Sequence, residues 1–390
     1  MRSANPLRRS SPHRGSGLIR LTALLAATSV VLSAAACSKQ GAGAASPATS
    51  GAAAAAAASI QGDITFNDAN LAKLDQSIKD ALAGKDLSQL NEAMVVNVAV
   101  DYWNAGKIGF NKGTGDLSVK GTFQAPANGR LDQQLSMLSA LHSQNLTGLE
   151  VSAIDATAVK APIDSYTSAG VPVLAIDSPL PPEDGAALYL GTPNYQAGQK
   201  AGEAMKAALG GKGQVVVLVG SLTASNAVER IQGFEDALKD SDVKVLQKIS
   251  DGMDQSKALS NAENAFQTNP GVNGIYGVYS YDGPAAGQAV QSAGKSGKIK
   301  VVCDDSDPQT LGFIKQGVIQ ASILQQPYQQ GYTGAYLLAA LKVLGRDATM
   351  ALVKPYLESD GTTLSSGVGV VTQANLADYQ SMLAKLGISG

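Results

Sequence analysis

From residue 94 to residue 324 the chain repeats one pattern: a short apolar run, a polar exit, then an amphipathic stretch. The runs fall at 94–100, 149–154, 171–176, 214–219, 243–249, 274–278, 299–302 and 320–324. Each is short and mostly apolar, as a strand covered by helices would be. Between them, 131–142, 195–208, 228–239, 256–266, 284–293 and 309–316 place apolar residues at the spacing of a helix face. Such alternation predicts parallel strands joined by crossover helices, an α/β fold. So many units exceed one comfortable sheet, so two doubly wound parallel-sheet lobes are expected. A further helix is predicted over 67–83, where Leu71, Leu74, Ile78 and Leu82 recur before Gly84.

The first 36 residues carry an address instead of a fold. Arg2, Arg8, Arg9, Arg14 and Arg20 make a basic segment without an acid, and residues 21–32 are apolar but too short to span a membrane comfortably. Ala34-Ala35-Ala36 then precedes Cys37. The pattern resembles a bacterial lipoprotein processing site, in which the cysteine is acylated; plain signal cleavage after Ala36 is the alternative. Losing the five arginines takes the net charge from −2 to about −7, an acidic exported chain. Residues 37–59, mostly Ala, Gly and Ser, read as a tether behind the lipidated cysteine. The only other cysteine, Cys303, closes an apolar run and is expected as a buried thiol without a disulfide partner.

In open parallel sheets a ligand binds beyond the carboxyl ends of the strands, so the residues at those exits are the candidates. They are Asp101, Tyr102, Trp103 and Asn104; Asp177 and Ser178; Ser221 with Asn226 and Arg230; Tyr279, Ser280, Tyr281 and Asp282; Asp304 and Asp305; and Gln325 with Gln326. Carboxylates, amides and a guanidinium suit paired hydroxyl groups, and an aromatic face suits the C–H side of a sugar ring. Singly, each polar residue is equally a turn or helix-cap residue. Trp103, the single tryptophan, is either a core filler or, in a Gly- and Asn-rich loop, a wall of the cleft.

Several segments resemble the type I periplasmic sugar-binding proteins, the group of ribose- and xylose-type binders. They are Gly170-Val171-Pro172-Val173 leading to Asp177-Ser178; 190–198, with Gly191, Asn194 and Gly198; 226–234, with Asn226, Arg230 and Gly233; 279–286, with Tyr281, Gly283 and Pro284; and Gln325-Gln326-Pro327-Tyr328 with Gly331-Tyr332. The resemblance covers residues 94–345. It implies two lobes on a three-segment hinge near Gly191, Gln325 and Lys354. Residues 94–191 and 326–354 would form one lobe, 192–325 and 355–390 the other, behind an N-terminal helical extension at 60–93. It also implies that Asp177, Arg230, Asp305 and Gln325 hydrogen-bond a sugar, that Tyr102 and Trp103 form an aromatic wall, and that Asn226 is a polar contact of the second lobe. Asp101, Ser178 and Tyr281 complete the candidate set. The chain departs from the resemblance in three ways: Val228 replaces an arginine, Asp282 replaces an asparagine, and Gly109, Gly113 and Gly115 are expected to interrupt the helix after the first strand.

The implied role is a substrate-binding lipoprotein of an ABC importer, outside the cytoplasm, monomeric, with a sugar or polyol ligand and permease subunits as partners. A sensory version that signals to a membrane receptor, or an exported enzyme acting on sugars, are the alternatives. No basic cluster lies beyond the leader, which argues against nucleic acid. Of two histidines, His13 leaves with the leader and His142 sits on the stripe of Leu131, Leu135 and Leu138. No metal-ligand spacing and no nucleophile motif occurs, so no cofactor, metal site or catalytic residue is expected. Gly294-Lys295-Ser296 precedes a strand, opposite to a P-loop, and reads as a turn.

Overall fold

A computed structural model describes residues 59–390; the expected leader, Cys37 and the tether through residue 58 lie outside them. The order begins α1 (Asp68–Leu82), β1 (Asn91–Val95), α2 (Asp101–Asp116), β2 (Lys120–Gln124), α3 (Leu131–His142), β3 (Gly148–Val151), α4 (Ala156–Ser168), β4 (Val173–Ile176) and β5 (Tyr189–Gly191). It continues with α5 (Asn194–Ala208), β6 (Lys212–Val219), α6 (Ser225–Leu238), β7 (Asp242–Ser250), α7 (Gln255–Thr268), β8 (Gly274–Gly277), α8 (Asp282–Ser292), β9 (Lys300–Asp304), α9 (Pro308–Lys315) and β10 (Ile319–Leu324). Then come α10 (Pro327–Val343), α11 (Arg346–Val353), β11 (Thr363–Ser365), β12 (Gly369–Val371) and α12 (Leu376–Lys385).

Two six-stranded sheets result, ordered β11-β5-β4-β3-β1-β2 and β12-β10-β9-β8-β6-β7. The first is wholly parallel, and only β12 runs antiparallel in the second. Alternate residues along β1 serve opposite faces: Met94 packs under α1, α2 and α10, while Ala93 and Val95 pack with Leu138, Ile163 and Tyr166. The second sheet is covered the same way. Both sheets are therefore sandwiched between helices, and the predicted doubly wound α/β architecture is what the chain adopts.

The chain crosses between the sheets at 192–193, at 325–326 and again at 366–368. The last lies beyond the expected position near Lys354. The free edge of β5 explains the shift: β11 pairs along it in register Thr363↔Tyr189, Leu364↔Leu190 and Ser365↔Gly191, which keeps residues 355–365 with the first lobe. The expected extension at 60–93 is not separate either. Asp63 exchanges backbone hydrogen bonds with Val370 of the second lobe, after which Leu71, Leu74, Ile78 and Leu82 of α1 are buried in the first. At about 1.5–3 kcal/mol per fully buried large apolar side chain, α1 is a fixed part of that lobe.

The glycines after the first strand do not interrupt a helix. α2 runs unbroken for 16 residues, because its glycines are contact points. A Cβ at Gly109 would strike the Tyr328 carbonyl of α10, and one at Gly113 the Tyr332 carbonyl. Their absence lets the two backbones touch. The buried stripe of α3 is Gln134, Leu138 and Leu141. His142 falls off that stripe and is exposed, its ring edge-on to Tyr166.

Candidate functional site

Five strands of each sheet share one order, β2-β1-β3-β4-β5 in the first and β7-β6-β8-β9-β10 in the second. Successive connections leave β1 and β6 in opposite directions, which opens a crevice at the carboxyl ends of those strands. Side chains from both crevices meet in one cavity of about 30 Å³. It is room for a water or two, against roughly 300–1,000 Å³ for a small-molecule pocket. A second compartment of about 780 Å³, lined by Asp101, Phe123, Leu259 and Tyr281 among others, opens from the same cleft.

Equivalent positions in the two lobes supply equivalent groups. Asp177 follows β4 and Asp305 follows β9, with φ of 59° and 69°. Aspartate tolerates this left-handed backbone better than most residues. α2 delivers Tyr102 and Trp103 after β1, and α6 delivers Asn226 and Arg230 after β6. Gln325 lies in the second crossing.

These groups are bonded to one another. Asp177 accepts from the Tyr102 hydroxyl at 3.2 Å, from Ser152 Oγ at 2.9 Å and from Asn226 Nδ2 at 3.1 Å. The last bond spans the cleft from lobe to lobe. Asp305 accepts from Gln325 Nε2 at 2.8 Å. The Arg230 guanidinium donates through Nη1 to Asp304 at 3.1 Å, through Nε to Asn194 at 3.0 Å and through Nη2 to Gln325 Oε1. Thr192 Oγ1 donates to the same Gln325 oxygen at 2.9 Å, which ties two hinge crossings to the guanidinium. Trp103 is 2% exposed, and its Nε1 donates to Asn97 Oδ1 at 2.8 Å.

Burial sets the electrostatics. It pushes the Asp177 and Asp305 carboxyls up, Asp305 strongly, while Arg230 pulls both back down. Burial pushes Asp304 to about 7 against the pull of Arg230 and of the Tyr276 hydroxyl at 3.1 Å. Burial also opposes the charge on Arg230, but Asp304, Asp305 and Asp177 outweigh it and hold the guanidinium protonated.

Seven of the ten candidates line the small cavity: Tyr102, Trp103, Asp177, Asn226, Arg230, Asp305 and Gln325. Three do not. Asp101 opens α2, is exposed and faces the outer compartment. Tyr281 also lines that compartment and gives its hydroxyl to Asp251 at 2.9 Å. Ser178 is buried outside both linings, its N–H on the Ile176 carbonyl, a turn position. Trp103 belongs to a helix instead of the expected loop, and serves both core and cavity.

Sequence reasoning missed Asn97, hidden in a run read as strand to residue 100 although β1 stops at Val95. Tyr279 and Ser280 also line the cavity, and Asn194, Thr192 and Tyr276 back it. Asp304 was legible only as one half of a double aspartate at a strand exit. Two departures change meaning. Val228 is 49% exposed, so an arginine there would face solvent and the cavity loses no donor. Asp282 is buried beside Asp251, where burial and then that neighbour raise its carboxyl, and it lies outside the cavity's lining. Among the described residues no group of three or more His, Cys, Asp or Glu is arranged to hold a metal ion.

The chain resembles known proteins over this same region. A family model described as a periplasmic binding protein domain matches residues 92–346. A D-allose-binding periplasmic protein of Escherichia coli is 25% identical over 254 residues, 63% of this chain and 82% of that one. A xylitol-binding protein of Mycolicibacterium smegmatis is 28% identical over 223 residues, 57% of this chain and 63% of that one. In structure, an ABC transporter solute-binding protein of Burkholderia graminis, solved with D-arabinose, superposes with a TM-score of 0.68 at 28% identity. That match covers 76% of this chain and 99% of the other.

Proposed function

Because the chain belongs to the periplasmic binding protein domain family, we propose that it closes two lobes over a small sugar or polyol and delivers it unaltered to an ABC importer. One observation carries this reading: polar and aromatic side chains from both lobes and from the hinge converge on one cavity at the carboxyl ends of both sheets. The relatives are named for what they bind, not for a reaction they catalyse.

The mechanism follows from the bonds. Asn226 donates to Asp177 and Gln325 to Asp305, so these two carboxyls are held by neighbouring amides. A polyol would replace both bonds with its own hydroxyls, each able to donate and accept. The lobes must part to admit it, turning about 192–193, 325–326 and 366–368, and close once it bridges Asp177 and Asn226. The closed pair would present the surface that a transporter recognises. Acylation of Cys37, with residues 38–59 as tether, would hold the protein at the outer face of the membrane.

The test is a titration of the processed protein with sugars and polyols while following fluorescence of Trp103, its single tryptophan. The expected result is a saturable change with a compound that is recovered intact. Consumption of the compound, or no response across pentoses, hexoses and their alcohols, refutes the proposal.

A further inference from the structure

The lining of the interlobe cavity holds more carboxylates than cations. Asp177 already accepts from three neutral donors, and Asp305 from one. Arg230 is the only basic residue in the lining, with three carboxylates about it. Its fork is already engaged by Asp304, Asn194 and Gln325. Asp304 thus has the guanidinium's hydrogen bond, whereas Asp177 and Asp305 are hydrogen-bonded by neutral donors and share its charge only through space. Of the remaining titratable groups here, Tyr102 and Tyr279 line the cavity, while Tyr189 and Tyr276 stand behind it; none brings a positive charge.

A second observation points inward. Tyr279 lines the cavity, and its hydroxyl is buried without a hydrogen-bond partner among the described residues. With Tyr102 and Trp103, which meet edge to face at 4.8 Å, it adds a third aromatic ring to the lining. Two unbalanced carboxyls walled by aromatic rings suit an ammonium group, which takes ion pairs from the former and cation–π attraction from the latter. Water leaves as the lobes close, and each uncompensated charge then costs more.

The geometry points to a ligand that carries a protonated amine on its hydroxylated skeleton, an amino sugar or amino polyol, with the ammonium between Asp177 and Asp305. This deepens the proposed function and rests on it. Burial holds Asp177 and Asp305 toward their protonated forms without a ligand. A cation between them favours the ionised carboxylates, so proton exchange on binding an amine should differ from that on binding its neutral parent.

The experiment is calorimetry on the processed protein in two buffers of different ionisation enthalpy. Matched pairs are compared: glucosamine with glucose, galactosamine with galactose, glucamine with sorbitol, and each amine with its N-acetyl form. The expected result is at least one amine that binds tenfold or more tightly than both its hydroxyl parent and its acetylated form, with a buffer-dependent heat that the parent lacks. Asp305→Asn and Asp177→Asn should each shrink that ratio. Asparagine suits the left-handed backbone at both sites, so neither change strains the chain. Hydroxyl parents that bind as well as the amines overturn this inference and leave the sugar-binding reading intact. Silence from every compound overturns both.

Discussion

A methyl group added at Gly109 should destabilise the first lobe, although the same change in an isolated helix would strengthen it. Replacing glycine by alanine inside a helix gains about 0.5–1 kcal/mol from backbone entropy and propensity. At Gly109 the new Cβ would overlap the Tyr328 carbonyl of α10, a backbone atom that cannot rotate away. Overpacking of this sort costs roughly 1–3 kcal/mol, and a backbone obstacle puts it at the upper end. The net expectation is a loss of about 2 kcal/mol. Gly115 supplies the internal control: it lies on the same helix, is exposed, and has nothing within 4 Å of an added Cβ. Gly115→Ala should gain up to about 1 kcal/mol, less if the last turn frays. Urea unfolding reads the difference; with a slope of about 3 kcal/mol per molar, Gly109→Ala should lower the midpoint by about 0.7 M. The same variant should weaken ligand binding, because α2 carries Tyr102 and Trp103 at its first turn. If Gly109→Ala unfolds at or above the parent's midpoint, close approach of α2 and α10 is not why glycine stands there.

Two further predictions concern buried charge. Glu92 and Glu150 lie beneath α10 on neighbouring strands, and all four of their carboxyl oxygens are buried without a partner among the described residues. Burial raises both carboxyls, and Glu92 raises Glu150 further. A raised folded value means stability that is complete below the unfolded carboxylate range and declines as pH rises toward the folded value. The decline is about 1.4 kcal/mol per pH unit for each group. Glu150→Gln should therefore stabilise the chain at pH 7 and flatten its unfolding midpoint between pH 5 and 7; an unchanged slope counts against buried, neutral carboxyls. Arg230→Met should abolish ligand response and cost about 3–5 kcal/mol, because it strands Asp304 in the interior without its counter-charge. The double change Arg230→Met with Asp304→Leu should recover part of that stability but none of the binding, as urea unfolding and the Trp103 titration would report.

Much of the fold was legible because it rests on local periodicity. The apolar runs that became β3, β4, β6, β7, β8, β9 and β10 stand out against polar neighbours, and α3 matches its predicted span of 131–142. The strands that escaped notice were β2, β5, β11 and β12. Three of these have only three residues, and β2 is a sheet edge with the sequence Lys-Gly-Thr-Phe-Gln. A three-residue strand is too short to show a period, and an edge strand such as β2 needs no continuous apolar run, so hydrophobic patterning passes over them. Asn91 and Glu92 hid the start of β1, because they are polar residues inside an interior strand.

The sequence by itself determined the two-lobed α/β class and the inventory of polar groups at strand exits, since both follow from contacts between residues two to four apart. Tertiary structure alone decided which of those groups share a cavity. It joined Asp177 to Asn226 across 49 positions of chain and Arg230 to Gln325 across 95, left Asp101, Ser178 and Tyr281 outside, and turned the glycines of α2 into helix contacts. Strand order and crossover direction fix those meetings, and no local pattern encodes them, because the partners become neighbours only when two separately built sheets face each other.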